Sequence, residues 1–177
     1  VTMQSMRDKG AGYRLSWGAS LAHLRQLAAD YSPDASLATR LWQSDVRECK
    51  LLATMLMPPD AMPRDVAEQW IEGVTTLETA EQLALNLLRH TAYARQLALR
   101  HLSSASLYTS ICAYHIVSRL FAVGTTPDDQ ETVCFLGSVA DALRHQSPLL
   151  RHAALNCLMR FAEIDANGRE AARLTAE

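Results

Sequence analysis

The most informative feature of this chain, read from residue types alone, is its charge distribution, because arginines gather where acids are missing. From Gln82 to Pro127 there is no Asp or Glu, while the same stretch carries Arg89, Arg95, Arg100 and Arg119 together with His90, His101 and His115. The preceding stretch, Leu51 to Glu81, holds six acids against the single Arg64. The chain is therefore electrically polarised although its formal net charge is only -2. Three or four arginines facing one groove give a modest, salt-sensitive affinity for phosphate, with about 0.9 counterions released per contact. Arginines pointing in different directions only solubilise outer helices, and periodicity places Arg89, Arg100 and His101 on related helix ends without fixing a face.

Three tryptophans, Trp17, Trp42 and Trp70, offer faces on which bases stack at about 1 to 3 kcal/mol each. Core packing is the better reading of them: Trp42 follows Leu41 near a helix end, and Trp70 lies four residues after Val66 beside Ile71, both placed as inter-helix anchors. Cys112 and His115 stand at i, i+3, but two ligands make no metal centre. The four cysteines, Cys49, Cys112, Cys134 and Cys157, are scattered singly within apolar patterns, where a reduced thiol packs as a small hydrophobe. Phosphate-binding glycine loops, zinc-protease spacing and nucleophile triads are all missing. The sequence thus predicts neither a metal site nor a cofactor.

The elements that must position these groups are helical. Periodicity of 3.6 residues recurs along the chain, and no segment alternates with period 2 between turn residues. Ser20 leads a helix to about Tyr31, Asp34 one to about Ser44, and Asp45 one ending before Pro58 and Pro59. Further helices are expected at 64 to 73, 76 to 90, 92 to 103, 105 to 123, 128 to 144 and 148 to 165, with residues 166 to 177 fraying. The strongest amphipathic stripe, Leu150, Ala153, Ala154, Cys157, Leu158, Phe161 and Ile164, follows Ser147 and Pro148 as N-cap and first helical residue. With 177 residues, of which 49% are apolar, one domain spanning 1–165 is expected. No apolar run approaches the roughly 20 residues of a membrane span, and Val1 to Lys9 lacks the apolar stretch of a secretory signal, so a cytoplasmic protein without a membrane partner is expected.

Short connections force neighbouring helices antiparallel, which leaves a bundle or a solenoid. The segment Ser147-Pro148-Leu149-Leu150-Arg151 with Ala154 resembles the opening of the second helix of a HEAT repeat, and Asp45-Val46-Arg47 is a weaker copy. The fold expected is all-α: an α-α superhelix of antiparallel HEAT-like helix pairs. Arg47, Arg151 and Lys50 then stand at second-helix starts, from which they reach either phosphate or an acid of the adjacent repeat.

The ordered series Tyr13-Arg14-Leu15-Ser16-Trp17-Gly18, Leu24-Arg25 with Leu27-Ala28, Leu37-Ala38 with Leu41-Trp42, and Val46-Arg47-Glu48 with Leu52-Ala53 resembles the DNA alkylation repair protein family. The resemblance continues through Trp70, Ala80-Glu81-Gln82-Leu83 and Asn86-Leu87-Leu88. The best-known members of that family are AlkD-like alkylpurine DNA glycosylases built from HEAT-like repeats. The resemblance implies removal of N3- or N7-alkylated purines by two tryptophans and an aspartate on the concave face, a carboxylate and aromatic faces being suited to a cationic transition state. Matched onto this sequence, the first tryptophan becomes Leu77, the aspartate becomes Glu81 and the second tryptophan becomes Cys157. A carboxylate set about 1 Å out of place can by itself cost on the order of 100-fold in rate.

Three functions follow as expectations. The first is a DNA-binding member of the family, with duplex, damaged or branched DNA as partner and Arg47, Lys50, Arg89, Arg95, Arg100 and Arg151 as the contacting residues, whose glycosylase activity is weak or absent. The second is an active glycosylase using Glu81, which as an acid in the first turns of a helix also answers the helix dipole, as Glu78 does. The third is a HEAT-like adaptor with a protein partner.

Overall fold

The computed structural model describes residues 13–176, so Val1 to Lys9 and their expected lack of a signal sequence lie outside the described residues. Ten α-helices run through them: α1 Leu21–Ala29, α2 Ala35–Gln43, α3 Arg47–Leu56, α4 Arg64–Glu72, α5 Leu77–Asn86, α6 Ala94–His101, α7 Leu107–Ala122, α8 Asp129–Leu143, α9 Pro148–Ala162 and α10 Ala166–Ala176. Extended pairing among the described residues is confined to one parallel bridge, Leu15 with Val46. No described helix is long and apolar enough to cross a membrane.

Local chemistry sets the helix starts. The Ser20 side chain accepts from the His23 amide, Asp34 from Leu37 and Thr76 from Thr79, each satisfying one of the orphan donors of a first turn. Pro148 occupies the first turn of α9 after the N-cap Ser147. Asp45 does not cap α3 as its sequence position suggested. Val46 is the N-cap, without a side-chain bond, and the Asp45 carbonyl accepts instead from the Leu15 amide in the bridge. The helix expected over 76 to 90 stops at Asn86, and a 3-10 turn over Leu88–His90 follows. Asp128 and Glu131 close α8 with a reciprocal capping box, each side chain accepting from the other's backbone amide. Asp128→Ala is expected to cost about 1 kcal/mol in chemical denaturation, with the loss confined to stability.

The chain forms two compact units, one ending at Ala92 and the other beginning at Tyr93, a division that the expected single domain over 1–165 does not mark. In the first unit α2 and α3 pack as a pair, and α3 packs in turn on α1 and α5. Trp42 and Trp70 stack there with centroids 4.3 Å apart and planes 6° from parallel, as inter-helix anchors. In the second unit α6 pairs with α7 and α8 with α9, while the second helices α7 and α9 lie against one another. Phe121, Phe135 and Phe161 fill that core as mutually inclined rings with centroids 5.2 to 5.6 Å apart.

Residues 166 to 176, expected to fray, form α10, which packs on α8 and α9 with Ala172 buried. Gly168 permits the approach, since a Cβ there would stand 2.9 Å from the Phe161 carbonyl oxygen. Its amide also donates to Asp165 Oδ1 at 2.6 Å. Helix propensity in this polar segment is unremarkable, and tertiary packing supplies what it lacks.

Candidate nucleic-acid interface

Arg47 lies inside the first unit. Its Nε and Nη2 donate to the two carboxylate oxygens of Glu78 at 2.7 and 2.6 Å, and its Nη1 donates to the Ala19 carbonyl at 2.7 Å and to Glu48 at 3.1 Å. This bidentate geometry fixes both partners. The Glu78 pairing, opposed by burial, raises the Arg47 pKa above its ordinary value. The expected phosphate contact at Arg47 is therefore corrected: it ties α3 to the start of α5 and to the loop before α1. Glu78, in turn, is the partner of that arginine and more than a charge at a helix start.

Glu48, 1% exposed, gathers the loop around it. Its carboxylate accepts from the amides of Trp17, Gly18 and Ala19 and from the Ser16 hydroxyl at 2.9 to 3.2 Å, in addition to Arg47. Burial acts to raise the carboxyl pKa, but these hydrogen bonds outweigh it and hold Glu48 below the ordinary value. Lys50 is likewise structural. Its Nζ donates to the Trp42 carbonyl at 2.9 Å and sits 4.7 Å from the Trp42 ring centroid, with burial lowering its pKa against the pull of Asp45. Arg151 donates to the carbonyls of His145 and Gln146 at 2.7 and 3.1 Å, holding the loop between α8 and α9 while remaining exposed.

Of the other expected contacts, Arg89 and Arg95 each have a partner in the fold, and Arg95 and Arg100 diverge. Arg89 donates to His90 Nε2 at 3.0 Å, and Arg95 to Glu131 at 3.0 Å and the Thr126 carbonyl at 3.2 Å. Arg95 and Arg100 share α6 but stand five residues apart, about 140° around the axis, and so face different ways. Leu77 and Glu81 are both half-buried, one turn apart on α5. Cys157, assigned from the resemblance to a pocket wall, is fully buried in the core of the second unit, where burial pushes its thiol well up. That assignment is corrected: a residue facing the core lines no substrate site.

The convergent cations lie between α7 and α9. A groove of about 410 Å³ is lined by His115, Ser118 and Arg119 from α7 and by Asn156, Met159 and Arg160 from α9, with Glu163 at its end. Arg160 donates to Glu163 at 2.8 Å across an exposed i, i+3 pair, which phosphate can displace at little cost. Asn156 Nδ2 stands 3.0 Å from His152 Nε2, one turn earlier on the same helix face. Burial lowers the His115 pKa to about 4, with Arg119 and His152 adding to the effect, so the ring is neutral at physiological pH and serves as a hydrogen-bonding group rather than a charge. Two guanidinium groups, imidazole and amide donors, and a single rim carboxylate suit an extended polyanion.

Of these residues, sequence reasoning had Arg119 and His115 within the acid-free window but missed His152, Asn156 and Arg160. The signal was there: His115 and Arg119, and His152, Asn156 and Arg160, repeat at i, i+4 on two consecutive second helices.

Fold and packing together define an all-α protein of HEAT-like repeats. The chain belongs to the DNA alkylation repair enzyme family, whose profile matches residues 2–172. It is also similar to a solved structure described as a new family of proteins related to the HEAT-like repeat DNA glycosylases with affinity for branched DNA structures. The TM-score is 0.82 at 16% identity, over 97% of this chain and 74% of that one. No curated protein matches the sequence.

Proposed function

We propose that this chain is a DNA-binding protein that holds the phosphate backbone of duplex or branched DNA along the α7/α9 groove and excises alkylated bases weakly or not at all. The observation that carries the reading is the groove, where Arg119 and Arg160 approach from neighbouring second helices beside neutral hydrogen-bonding groups. Phosphate contacts of this kind supply affinity and leave sequence unread. Family membership and the branched-DNA affinity of the structural relative support DNA as the partner. Weak excision is supported by α5, where Glu81 has the aliphatic Leu77 one turn before it, and by the burial of Trp42 and Trp70 in a stacked pair.

Binding to duplex, nicked and four-way-junction DNA, titrated with salt from low ionic strength, tests the reading. Salt-dependent binding is expected, and its complete absence on all three substrates overturns the proposal. Release of 7-methylguanine from methylated DNA is expected to stay at the level of Glu81→Ala. A clear excess over that control would restore an active glycosylase.

A further inference from the structure

Trp17 stands apart from the other tryptophans. Its side chain is 67% exposed, whereas Trp42 and Trp70 are 8% and 3% exposed. Yet the backbone that carries it is tied into the first unit by several hydrogen bonds. The amides of Trp17, Gly18 and Ala19 and the Ser16 hydroxyl all converge on the buried Glu48, and the Arg47 guanidinium closes the same network by donating to Glu48 and to the Ala19 carbonyl. Gly18, at φ +79°, supplies the left-handed turn that brings successive amides to one carboxylate. This network accounts for Ser16, Gly18, Glu48 and Arg47. It leaves the indole unexplained, since a large apolar ring fixed in water gains nothing from the fold.

The surroundings indicate what the ring meets. From Tyr13 to Ala29 there is no Asp or Glu, and Arg14, His23 and Arg25 in that segment are all exposed. A flat aromatic face on a held backbone, in a segment that itself carries no acid and exposes Arg14, His23 and Arg25, with the neighbouring Glu48 carboxylate buried and paired to Arg47, complements a planar group carried on a polyanion. That is a nucleobase with its phosphates, and only an unpaired base exposes the face that stacks.

We infer that Trp17 is a stacking platform for an unpaired base, so that the first unit recognises single-stranded or junction nucleotides. The inference rests on the DNA-binding reading and adds to it a site and a preference that phosphate contacts alone do not give.

The test compares wild type, Trp17→Ala and Trp17→Tyr on three probes: an oligothymidylate, a three-way junction and a continuous duplex of matched length. Trp17→Ala is expected to weaken oligothymidylate and junction binding on the order of ten-fold and to leave duplex binding within two-fold, while Trp17→Tyr restores most of the loss. Intrinsic fluorescence gives a second measurement on the unmodified protein. Because the other two tryptophans are buried, oligothymidylate is expected to quench wild-type emission and to shield it from acrylamide. Equal binding by wild type and Trp17→Ala on all three probes, or emission unchanged at saturating oligothymidylate, overturns the inference while leaving the DNA reading intact. Failure of the wild type to bind any probe overturns both. Uniform weakening on every probe makes Trp17 an ordinary contact and also overturns the inference.

Discussion

Arg119→Gln with Arg160→Gln is expected to weaken DNA binding by roughly 100-fold at low salt, each charge-assisted phosphate contact being worth about 1.5 kcal/mol. The same change should lower the slope of log affinity against log salt by about 2, since two contacts cease to release counterions. Salt titration of binding by fluorescence anisotropy measures both. The two quantities must move together, because a variant that lost affinity through misfolding would not keep a linear salt dependence of reduced slope. Arg119→Lys with Arg160→Lys retains the charges and is expected to recover most of the slope, though less of the affinity, as lysine lacks the planar fork. No change in either quantity places the DNA surface elsewhere. The neutral state of His115 adds a further constraint: with its pKa near 4, protonation of this ring does not modulate affinity between pH 6 and 8.

Glu48→Ala is expected to destabilise the first unit by about 3 to 5 kcal/mol, because it leaves the buried Arg47 guanidinium short of one acceptor and removes the buried carboxylate that three amides of the Trp17–Ala19 loop share. Thermal unfolding followed by circular dichroism should show Tm lowered by roughly 10 °C. A loss under 1 kcal/mol would mean that the loop closes without its carboxylate. The pH dependence carries the same information with a definite sign. Glu48 lies below its ordinary value of 4.5 in the folded chain, so its contribution is fully present above that value and is lost as pH falls through the folded-state pKa. Wild type should therefore approach the variant in stability only as pH falls below that ordinary value. His115 acts over a different window. Its depressed pKa lets the unfolded chain take up a proton first, so it lowers stability between about pH 6.5 and 4, in wild type and variant alike.

Most of the helices were legible because their ends are written in short-range chemistry. Ser20, Asp34, Asp128, and Ser147 with Pro148 each announce a start through one side chain or one missing amide. Asp45 misled for the opposite reason, as its place before α3 is set by a long-range bridge to Leu15 that no local pattern encodes. α10 is not legible in sequence because tertiary packing on α8 and α9 holds it, with Ala172 buried and Gly168 allowing the approach to Phe161. The binding residues were harder. Arg47, Lys50 and Arg151 have the type and position of phosphate ligands, and each is held by an acceptor within the fold. Sequence supplies a charge but not the acceptor facing it, and for Arg47 that acceptor is Glu78, 31 residues along the chain. Arg160 lies outside the acid-free window and pairs with Glu163 one turn on, so sequence alone does not single it out, although the pair is exposed and easily parted.

The packing partners within each unit carry a kinetic consequence. α2 with α3, α6 with α7, α8 with α9 and α9 with α10 are immediate neighbours in the chain, and α1 with α3, α3 with α5 and α7 with α9 are one element apart. Closing such contacts requires only short loops, so little chain entropy is lost before each new contact forms. Topologies of this kind reach the native state on timescales on the order of milliseconds or faster. Within each unit a helix pair can seat on its chain neighbours as the polypeptide leaves the ribosome, without waiting for a distant segment to arrive.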